Sequence, residues 1–237
     1  MNNNIGSSRN NKKSRQGNVK SIITWVIVIA VVAGSVGSML FVGGGNPAGN
    51  QTAILTDSIS QNDWFLGKND AKVILVEYGD YQCPACAAYH PFTKQIVQEF
   101  GDNISFAYRH FPLRSIHKNA DITAQAAEAA GKQAKFWEMH DLLYKNQKSW
   151  ESANNAEEIV TGYAKSLGLN IDQFKTDLHS KIVKDKVEAD FQSGLRAKVQ
   201  GTPTFFVNGK SIQNPLSYDE FRTILIKNGA TPQTVSQ

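Results

Sequence analysis

Cysteine is scarce in this chain of 237 residues, which has only Cys83 and Cys86, both in the segment YGDYQCPAC. A closed zinc site needs about four ligands, and this pair provides two of them. The histidines do not complete such a site, because no two of them have the H-x₃₋₅-H spacing. Ala87 stands where a haem-attachment motif requires histidine. We therefore predict no metal and no cofactor other than the cysteine pair itself.

Charged residues are missing from residues 21–56, and the 20 residues before them contain no acid. Residues 22–42 are almost wholly apolar, and at about 1.5 Å per residue they would form a helix of about 31 Å, enough to cross a bilayer core. Five cations precede this run and no Lys or Arg follows until Lys68. The positive-inside rule therefore predicts a cytoplasmic tail (1–20), one transmembrane anchor (21–42) and an extracytoplasmic remainder.

A cleaved signal peptide is the alternative to this anchor. The basic region is long, the apolar run exceeds the usual signal core, and GSVGSML offers no clean small-x-small cleavage site. We therefore expect a retained anchor. In both cases the rest of the chain is exported, to a periplasm or to the cell surface.

The part of the chain that is predicted to be exported has no excess of positive charge. The formal net charge of the chain is +4, but the first 20 residues contain five cations, which leaves 20 basic and 21 acidic residues elsewhere. Because the basicity belongs to the tail, we expect no nucleic-acid partner.

Residue patterns after the predicted anchor indicate one α/β domain at 55–230, between a flexible linker (43–54) and a polar end (231–237). Turn residues, β-formers and helical periodicity predict a βαβ unit, a helical block and a ββα unit. The predicted elements are a strand at 72–78, a helix after CPAC that contains the awkward Pro91, a strand at 104–111, a helical insertion at about 117–199, a hairpin of 204–207 and 210–212, and a helix at 218–227.

The two cysteines are spaced i, i+3, so they face one another on a helix and are compatible with a reversible disulfide. A loop this short restrains little chain entropy, which disfavours a purely structural bridge. Pro84 is tolerated in a first helical turn, so the helix should start at Cys83, where unpaired N–H groups favour a thiolate. Cys86, one turn further in, should be buried and act as the resolving thiol.

Glu77 at a strand end, CPAC at a helix start, a helical insertion and GTPT (201–204) before a hairpin together resemble the DsbA-like branch of the thioredoxin superfamily. The likeness covers residues 55–230 and is greatest to the membrane-anchored thiol–disulfide oxidoreductases of bacteria. It implies a thioredoxin-like fold with an inserted helical subdomain, preceded by one transmembrane helix.

The resemblance implies a role for each matching residue. Cys83 matches the nucleophilic cysteine, Cys86 the resolving cysteine and Pro203 the cis-proline beside the disulfide. Thr202 matches the residue whose backbone pairs with substrate. Glu77 matches a buried acid that helps to move protons and whose pKa burial would raise; the alternative is a solvent-exposed carboxylate at a strand end.

The active-site loop departs from the strongest oxidants of the family, since Pro84–Ala85 lacks their histidine. The redox potential therefore stays open at this stage. Residues that resemble a helical patch of these proteins are interpreted as core: Phe136, Trp137, His140 and Leu143. The histidines are expected to be hydrogen-bonded or at the surface, with His90 and His110 closest to the site.

The function implied by the resemblance is an extracytoplasmic enzyme that introduces disulfides into exported proteins. Its partners would be reduced or unfolded exported proteins and a quinone-linked membrane protein that reoxidises it. The pattern contains no dimerisation domain, so we expect a monomer. Two alternatives remain: a tethered reductase or relay that uses the same cysteines, and a peptide-binding module that uses Thr202–Pro203 with an incidental disulfide.

Overall fold

The computed structural model describes residues 53–233. Among these residues, none of the helices is long and apolar enough to span a bilayer. The predicted tail (1–20) and anchor (21–42) lie outside the described residues, as does most of the predicted linker.

A mixed sheet forms the centre of the described part. Its strands are β1 (Trp64–Gly67), β2 (Val73–Gly79), β3 (Ile104–His110), β4 (Thr204–Val207) and β5 (Lys210–Ser211). They lie in the order β1-β3-β2-β4-β5. Strand β2 runs parallel to β3 and antiparallel to β4, whereas β1 pairs antiparallel with β3, and β5 with β4.

The helices follow the predicted order. Helix α1 (Pro84–Phe100) connects β2 to β3 through a 3₁₀ turn at Gly101–Asn103, and α8 (Tyr218–Lys227) closes the domain. The insertion between β3 and β4 contains α2 (Ala120–Gly131), α3 (Phe136–Lys145), α4 (Gln147–Trp150), α5 (Ala156–Ser166), α6 (Ile171–Leu178) and α7 (Lys181–Arg196). The prediction of an α/β fold with a helical insertion is confirmed.

Strand β2 is buried on both faces, which explains its nearly continuous apolar sequence. Leu75 faces a cluster that includes Ile96 of α1 and Phe221 of α8. Val76 faces the opposite cluster with Phe206 of β4, which is covered in part by the segment after α7. The carboxyl end of this central strand leads directly to the cysteine pair.

Strand β3 is also buried along its whole length, although its polar residues alternate with apolar ones. Arg109 is tolerated inside because Asp63 accepts hydrogen bonds from its Nε at 2.7 Å and its Nη2 at 3.0 Å. The carbonyl oxygens of Asp57 and Ser58 accept from the same guanidinium. A buried cation needs such partners, and here they fasten the segment before β1 to the sheet.

Strand β1 is absent from the sequence-based prediction, which placed the first strand at residue 72. It is a four-residue edge strand, too short for the alternation that usually marks a strand. Trp64 secures it, since the indole stacks on Phe136 at a centroid distance of 4.7 Å. The aromatic pair Trp64–Phe65 between turn residues was the signal available for this strand.

The predicted linker and polar end both contribute contacts where they are described. Ser211 N donates to Ala53 O at 2.9 Å and Leu55 N donates to Gly209 O at 2.8 Å, so pairing with the hairpin begins inside the predicted linker. At the other end, Gln233 N donates to Glu99 O at 2.8 Å. The ordered domain therefore extends slightly beyond the predicted 55–230.

The core prediction for the insertion holds at most positions. Phe136, His140 and Leu143 are buried, and Trp137 is partly buried against the same cluster. Pro91 lies inside α1 on its exposed side, so the helix continues past it. The face of α1 opposite Pro91 therefore remains available for packing on the sheet.

Candidate active site

The cysteine pair lies where β2 passes into α1. Cys83 has an extended backbone as the N-cap, and Pro84 occupies the first helical position, as predicted. The N–H of Cys83 donates to Asp80 O at 3.0 Å, and the N–H of Ala87 donates to Cys83 O at 3.2 Å. Cys83 is therefore fixed at the positive end of the α1 dipole.

Asp80 organises the turn before Cys83, a role that the sequence analysis missed. Its buried carboxylate accepts from Gln82 N at 2.8 Å and from Leu113 N at 2.9 Å. His117 Nδ1 lies 2.7 Å from the same carboxylate. The acid thus joins the turn to the loop after β3. An acidic residue directly after a buried strand was the only signal for it.

Gln147 connects the helical insertion to the same turn. Its Nε2 donates to Tyr81 O at 2.7 Å and to Cys83 O at 3.0 Å. Gln82 makes the complementary contacts, since its Nε2 donates to Glu151 O and its Oε1 accepts from Asn119 N. No local motif marks Gln147, because the contact joins residues 64 positions apart.

The two sulfurs differ in exposure and in acidity. Cys83 is 7% exposed and Cys86 is fully buried, and both are free thiols. A hydrogen bond from Cys86 lowers the pKa of Cys83 to about 5, against the opposing effect of burial, with further help from Thr202 and the N–H groups of Cys86 and Ala85. The structure therefore favours a thiolate at Cys83 near neutral pH.

Cys86 has the opposite character. Burial raises the pKa of Cys86 well above its ordinary value, and its hydrogen bond to Cys83 and the nearby Glu77 carboxyl add to the rise. Pro84 and Ala85 between the two cysteines are exposed. The pair thus consists of a sulfur that is reachable from the surface and ionised, and a sulfur that is buried and protonated.

Thr202 and Pro203 face the pair from the loop before β4. Their peptide bond is cis, as the sequence analysis predicts. In the thiol form, Cys83 Sγ donates to Thr202 O at 3.2 Å. The buried Thr202 hydroxyl has no hydrogen-bond partner. It is therefore free to donate to Cys83 once that sulfur is a thiolate.

Glu77 lies beneath the pair on β2 and is 1% exposed. Its Oε1 has no hydrogen-bond partner. Burial, together with the negative charge of Cys83, raises the pKa of Glu77 to about 8. The prediction of a buried acid is confirmed, and the alternative of an exposed strand-end carboxylate is wrong.

Three tyrosines cover the interior side of the site. The rings of Tyr81 and Tyr108 stack at 5.3 Å, and the hydroxyls of Tyr108 and Tyr144 lie 2.9 Å apart. Gly79 makes room for this arrangement, because a Cβ there would lie 2.5 Å from Tyr108 Cε2. Tyr81 OH lies 3.1 Å from His140 Nδ1. Burial lowers the pKa of His140 well below its ordinary value, so this imidazole is neutral.

The predicted site residues are thus brought together in part by contact and in part by charge. Cys83 contacts Cys86 and Thr202, while the carboxyl of Glu77 helps to raise the pKa of Cys86 and the charge of Cys83 helps to raise the pKa of Glu77. His110 lies on the far side of Tyr81, with ring centroids 5.9 Å apart, and His90 lies beside Tyr144. Neither histidine has a hydrogen bond to a cysteine among those found. An ionised sulfur beside a protonated one is the arrangement that thiol–disulfide exchange requires.

Comparison with solved structures gives the same fold. Oxidised BdbD from Bacillus subtilis superposes with a TM-score of 0.66 at 28% identity, covering 75% of this chain and 98% of that chain. A thioredoxin-like oxidoreductase from Silicibacter pomeroyi has a TM-score of 0.61 at 24% identity, over 75% and 96% of the two chains. Alpha-DsbA1 from Wolbachia pipientis, at 20% identity, has a TM-score of 0.64 over 71% and 92%. The last two likenesses concern the fold alone.

Curated relatives are much longer proteins. The Na(+)/H(+) antiporter NhaA 1 of Salinispora arenicola is 40% identical over 148 residues, which are 62% of this chain and 22% of that protein. The NhaA antiporter of Herminiimonas arsenicoxydans is 34% identical over 199 residues, 82% of this chain and 30% of that protein. The chain therefore matches less than a third of the length of these relatives.

The family model described as Thioredoxin matches residues 60–227, which is well over half of the chain. Its bounds enclose β1, the cysteine pair, the whole insertion and α8. The chain therefore belongs to the thioredoxin family, and within that superfamily to the DsbA-like thiol–disulfide oxidoreductases.

Proposed function

We propose that this chain is an extracytoplasmic protein-disulfide oxidoreductase that introduces disulfides into exported proteins through Cys83 and Cys86. The observation that carries the proposal is the difference in acidity between the two sulfurs. The pKa of Cys83 falls to about 5 while that of Cys86 rises well above its ordinary value. A stabilised thiolate is a good leaving group, which favours the reduced protein and gives the disulfide oxidising power.

The reaction proceeds in two exchanges. A substrate thiolate attacks Cys83 Sγ of the oxidised pair, a mixed disulfide forms, and the electron pair of the broken S–S bond goes to Cys86. A second substrate thiolate then attacks the substrate sulfur of the mixed disulfide and releases Cys83 as a thiolate. The substrate loses two electrons and two protons as its disulfide forms, and the enzyme gains the electrons.

We propose that Glu77 supplies a proton during the first exchange. Cys86 leaves as a thiolate inside the protein, where burial disfavours its charge. Glu77 is buried beneath it with a pKa of about 8, so it holds a proton near neutral pH. We propose that this proton reaches Cys86 as the disulfide opens. An intervening water is compatible with the unpartnered Oε1.

The groove between Cys83 and the cis-Pro203 loop is the proposed substrate site. Thr202 O lies 3.2 Å from the sulfur of Cys83 and precedes the cis-Pro203, and the backbone of Thr202 would pair with an extended substrate. We propose that a quinone-linked membrane protein accepts the two electrons when the pair is reoxidised, and that residues 21–42 anchor this monomer to the membrane. The family relationship and the charge pattern of residues 1–68 support these assignments.

The test uses reduced, unfolded ribonuclease A as substrate. We expect the oxidised chain to restore its disulfides and Cys83→Ala to abolish this activity. Cys86→Ala cannot form the internal disulfide, so its Cys83 is first oxidised with glutathione disulfide; a substrate thiolate should then displace glutathione and leave the mixed disulfide with Cys83. Full activity of Cys83→Ala would overturn the proposal. Equal peptide affinity of the oxidised and reduced forms, without any exchange, would instead indicate the peptide-binding module.

Equilibration with glutathione separates an oxidase from a reductase. The low pKa of Cys83 leads us to expect a potential closer to about −120 to −180 mV than to about −270 mV. Since the folded pKa of Cys83 is depressed, the thiolate stabilises the reduced form above the ordinary thiol pKa, and this stability is lost as the pH falls through about 5. The reduced chain should therefore unfold at a higher temperature than the oxidised chain at neutral pH, and the difference should shrink toward pH 5. A redox potential of the Cys83–Cys86 pair of about −270 mV would instead indicate the reductase.

A further inference from the structure

Two helices bring together a group of metal-ligand side chains away from the cysteine pair. His90 lies on α1, and His140 and Asp141 are consecutive on α3. Their candidate ligand atoms all lie within 4.8 Å of one another. The imidazole rings are 5.3 Å apart between centroids, and His90 Nε2 is 2.9 Å from Asp141 Oδ1. The three residues belong to segments about 50 positions apart, so the fold itself creates the group.

We propose that His90, His140 and Asp141 form a binding site for a divalent transition-metal ion, with Zn²⁺ as the ion that fits this ligand set. Two imidazoles and one carboxylate are the ligand types of open zinc sites, which keep a further position for water or another ligand. No H-x₃₋₅-H pair marks this set in the sequence, because its members come from different helices. The site contains neither cysteine.

The geometry needs only a small adjustment to hold zinc. Ligand atoms about 2.1 Å from a tetrahedral ion are about 3.4 Å apart, compared with an upper limit of 4.8 Å here. His90 and Asp141 are already closer than that. The remaining separation is to be closed by side-chain rotations on the two helices.

An outer hydrogen bond already orients one of the ligands. His140 Nδ1 lies 3.1 Å from Tyr81 OH, which leaves Nε2 as its ligand atom. Ligating histidines commonly use their second ring nitrogen in this way, which fixes the ring. His140 is 3% exposed, so its packing also holds it in place.

A cavity of about 170 Å³ adjoins the three ligands and provides room for the open position. Its lining includes apolar side chains such as Phe106 and Trp137 together with the three ligands. A metal in this position would have protein ligands on one side and the cavity on the other. This is the arrangement of an ion that exchanges a water or a small anionic ligand.

Lys94 is the competitor for the site, because its ammonium group is paired with Asp141 Oδ2. The side chain of Lys94 is 49% exposed, so it leaves Asp141 for solvent at little cost. A second set, His110, Glu128 and Asp190, differs in this respect. Lys186 there is 18% exposed and donates to both Asp190 oxygens at 2.7 and 2.6 Å, so that set has a resident cation.

The experiment is a calorimetric titration of the full chain with Zn²⁺, without a polyhistidine tag and with both cysteines changed to serine so that no thiol binds metal. We expect one saturable site. Asp141→Asn should weaken binding about tenfold or more, and Lys94→Met should tighten it about two- to fivefold by removing the competitor. His179→Gln, at an exposed histidine paired with Glu157, is the matched control and should change nothing.

Co²⁺ provides a second readout, since its visible absorption reports imidazole and carboxylate coordination. His90→Asn should remove that spectrum. The side chains of Lys94 and Asp141 are 49% and 41% exposed, so neither belongs to the closed core, and thermal unfolding will verify that their variants remain folded. Absence of saturable Zn²⁺ binding, or binding that Asp141→Asn leaves unchanged, overturns the proposal. So does weaker binding by Lys94→Met.

Discussion

Two buried glutamates show how differently two regions of this molecule treat the same side chain. Glu77 lies under the cysteine pair with one carboxyl oxygen unpartnered, and its pKa is raised to about 8. Glu128 lies where the insertion meets the sheet. Burial acts to raise its pKa as well, but hydrogen bonding and charge from His110, with Lys186 and Trp64, lower it overall.

The difference arises from donors, because both carboxyls are almost fully buried. Trp64 Nε1 donates to both oxygens of Glu128 at 3.0 Å, and His110 Nε2 lies 2.9 Å from Oε1. No donor reaches Oε1 of Glu77, and the causes of its raised pKa are burial and the negative charge of Cys83. A buried carboxyl with donors remains ionised and holds elements together, whereas one without donors remains protonated and able to transfer that proton. Burial of Glu77 near the cysteines therefore costs folding stability, whereas Glu128 contributes stability where the insertion meets the sheet.

Removal of the negative charge of Glu128, where the insertion meets the sheet, should have the largest effect on stability. Glu128→Gln places an amide donor against the N–H groups of Trp64 and His110, and it leaves Lys186 with one acid fewer. We expect the free energy of unfolding to fall by about 3 kcal/mol or more, measured by urea denaturation. Glu158→Gln, on an exposed face of α5, is the control and should stay within about 0.5 kcal/mol of the wild type.

The same substitution beneath the cysteines should act in the opposite direction. Native reduced protein keeps the proton on Glu77 up to pH about 8, but the unfolded chain loses it above about 4.5, so wild-type stability falls across that interval. Glu77→Gln should therefore stabilise the reduced protein by about 3 kcal/mol near neutral pH. The gain should disappear below pH 4.5.

This stability gain should accompany a loss of function. Without a proton to give to Cys86, Glu77→Gln should slow exchange with reduced ribonuclease A below about pH 8, where the wild type carries that proton. Equal stability of Glu77→Gln and the wild type at every pH would show that the two glutamates do not differ as described.

The sequence predicted the parts of the site that are local. Pro84 after Cys83 places the helix start, whereas the buried acid at Glu77 and the cis bond at Pro203 were predicted through the resemblance to the DsbA-like branch. Gln147 and Asp80 could not be assigned in this way. The contacts of Gln147 depend on the docking of the insertion, and those of Asp80 on the loop after β3.

The fold likewise consists of elements that the local sequence predicts and elements that depend on tertiary contacts. Long or strongly periodic elements such as α1 and α8 were predicted within one or two residues, whereas β1 was missed because an edge strand of four residues has almost no periodicity. The burial of β3 was hidden by Ser105 and Arg109. Arg109 is inside only because Asp63 and two carbonyl groups meet it there, and this is a tertiary fact.

The two cysteines differ in the same way as the two glutamates, although they lie only one turn apart at the start of α1. The pKa of Cys83 is lowered and that of Cys86 is raised. Cys83 receives a hydrogen bond from Cys86, and that bond is the largest cause of its low pKa. Cys86→Ala should therefore raise the pKa of Cys83 from about 5 toward the ordinary thiol value of 9.0. Cys86→Ser keeps a donor and should change the pKa much less. Ultraviolet absorption of the thiolate against pH measures both, and an unchanged pKa in the alanine variant would assign the effect to the helix N–H groups.

Substitution of Thr202 should have the smallest effect, a change in the pKa of Cys83. It also tests most directly whether hydrogen-bond donors decide the ionisation of buried groups in this site. Its hydroxyl is buried and unpartnered, like Glu77 Oε1, yet it lowers the pKa of Cys83. Thr202→Val preserves the shape and removes only the donor, so the pKa of Cys83 should rise by about one unit and the disulfide should become correspondingly less oxidising. Thr202→Ser should restore the low pKa. If valine and serine gave the same pKa, the thiolate would depend on Cys86 and the α1 amides alone, and the unpartnered hydroxyl would have to be explained by contact with substrate.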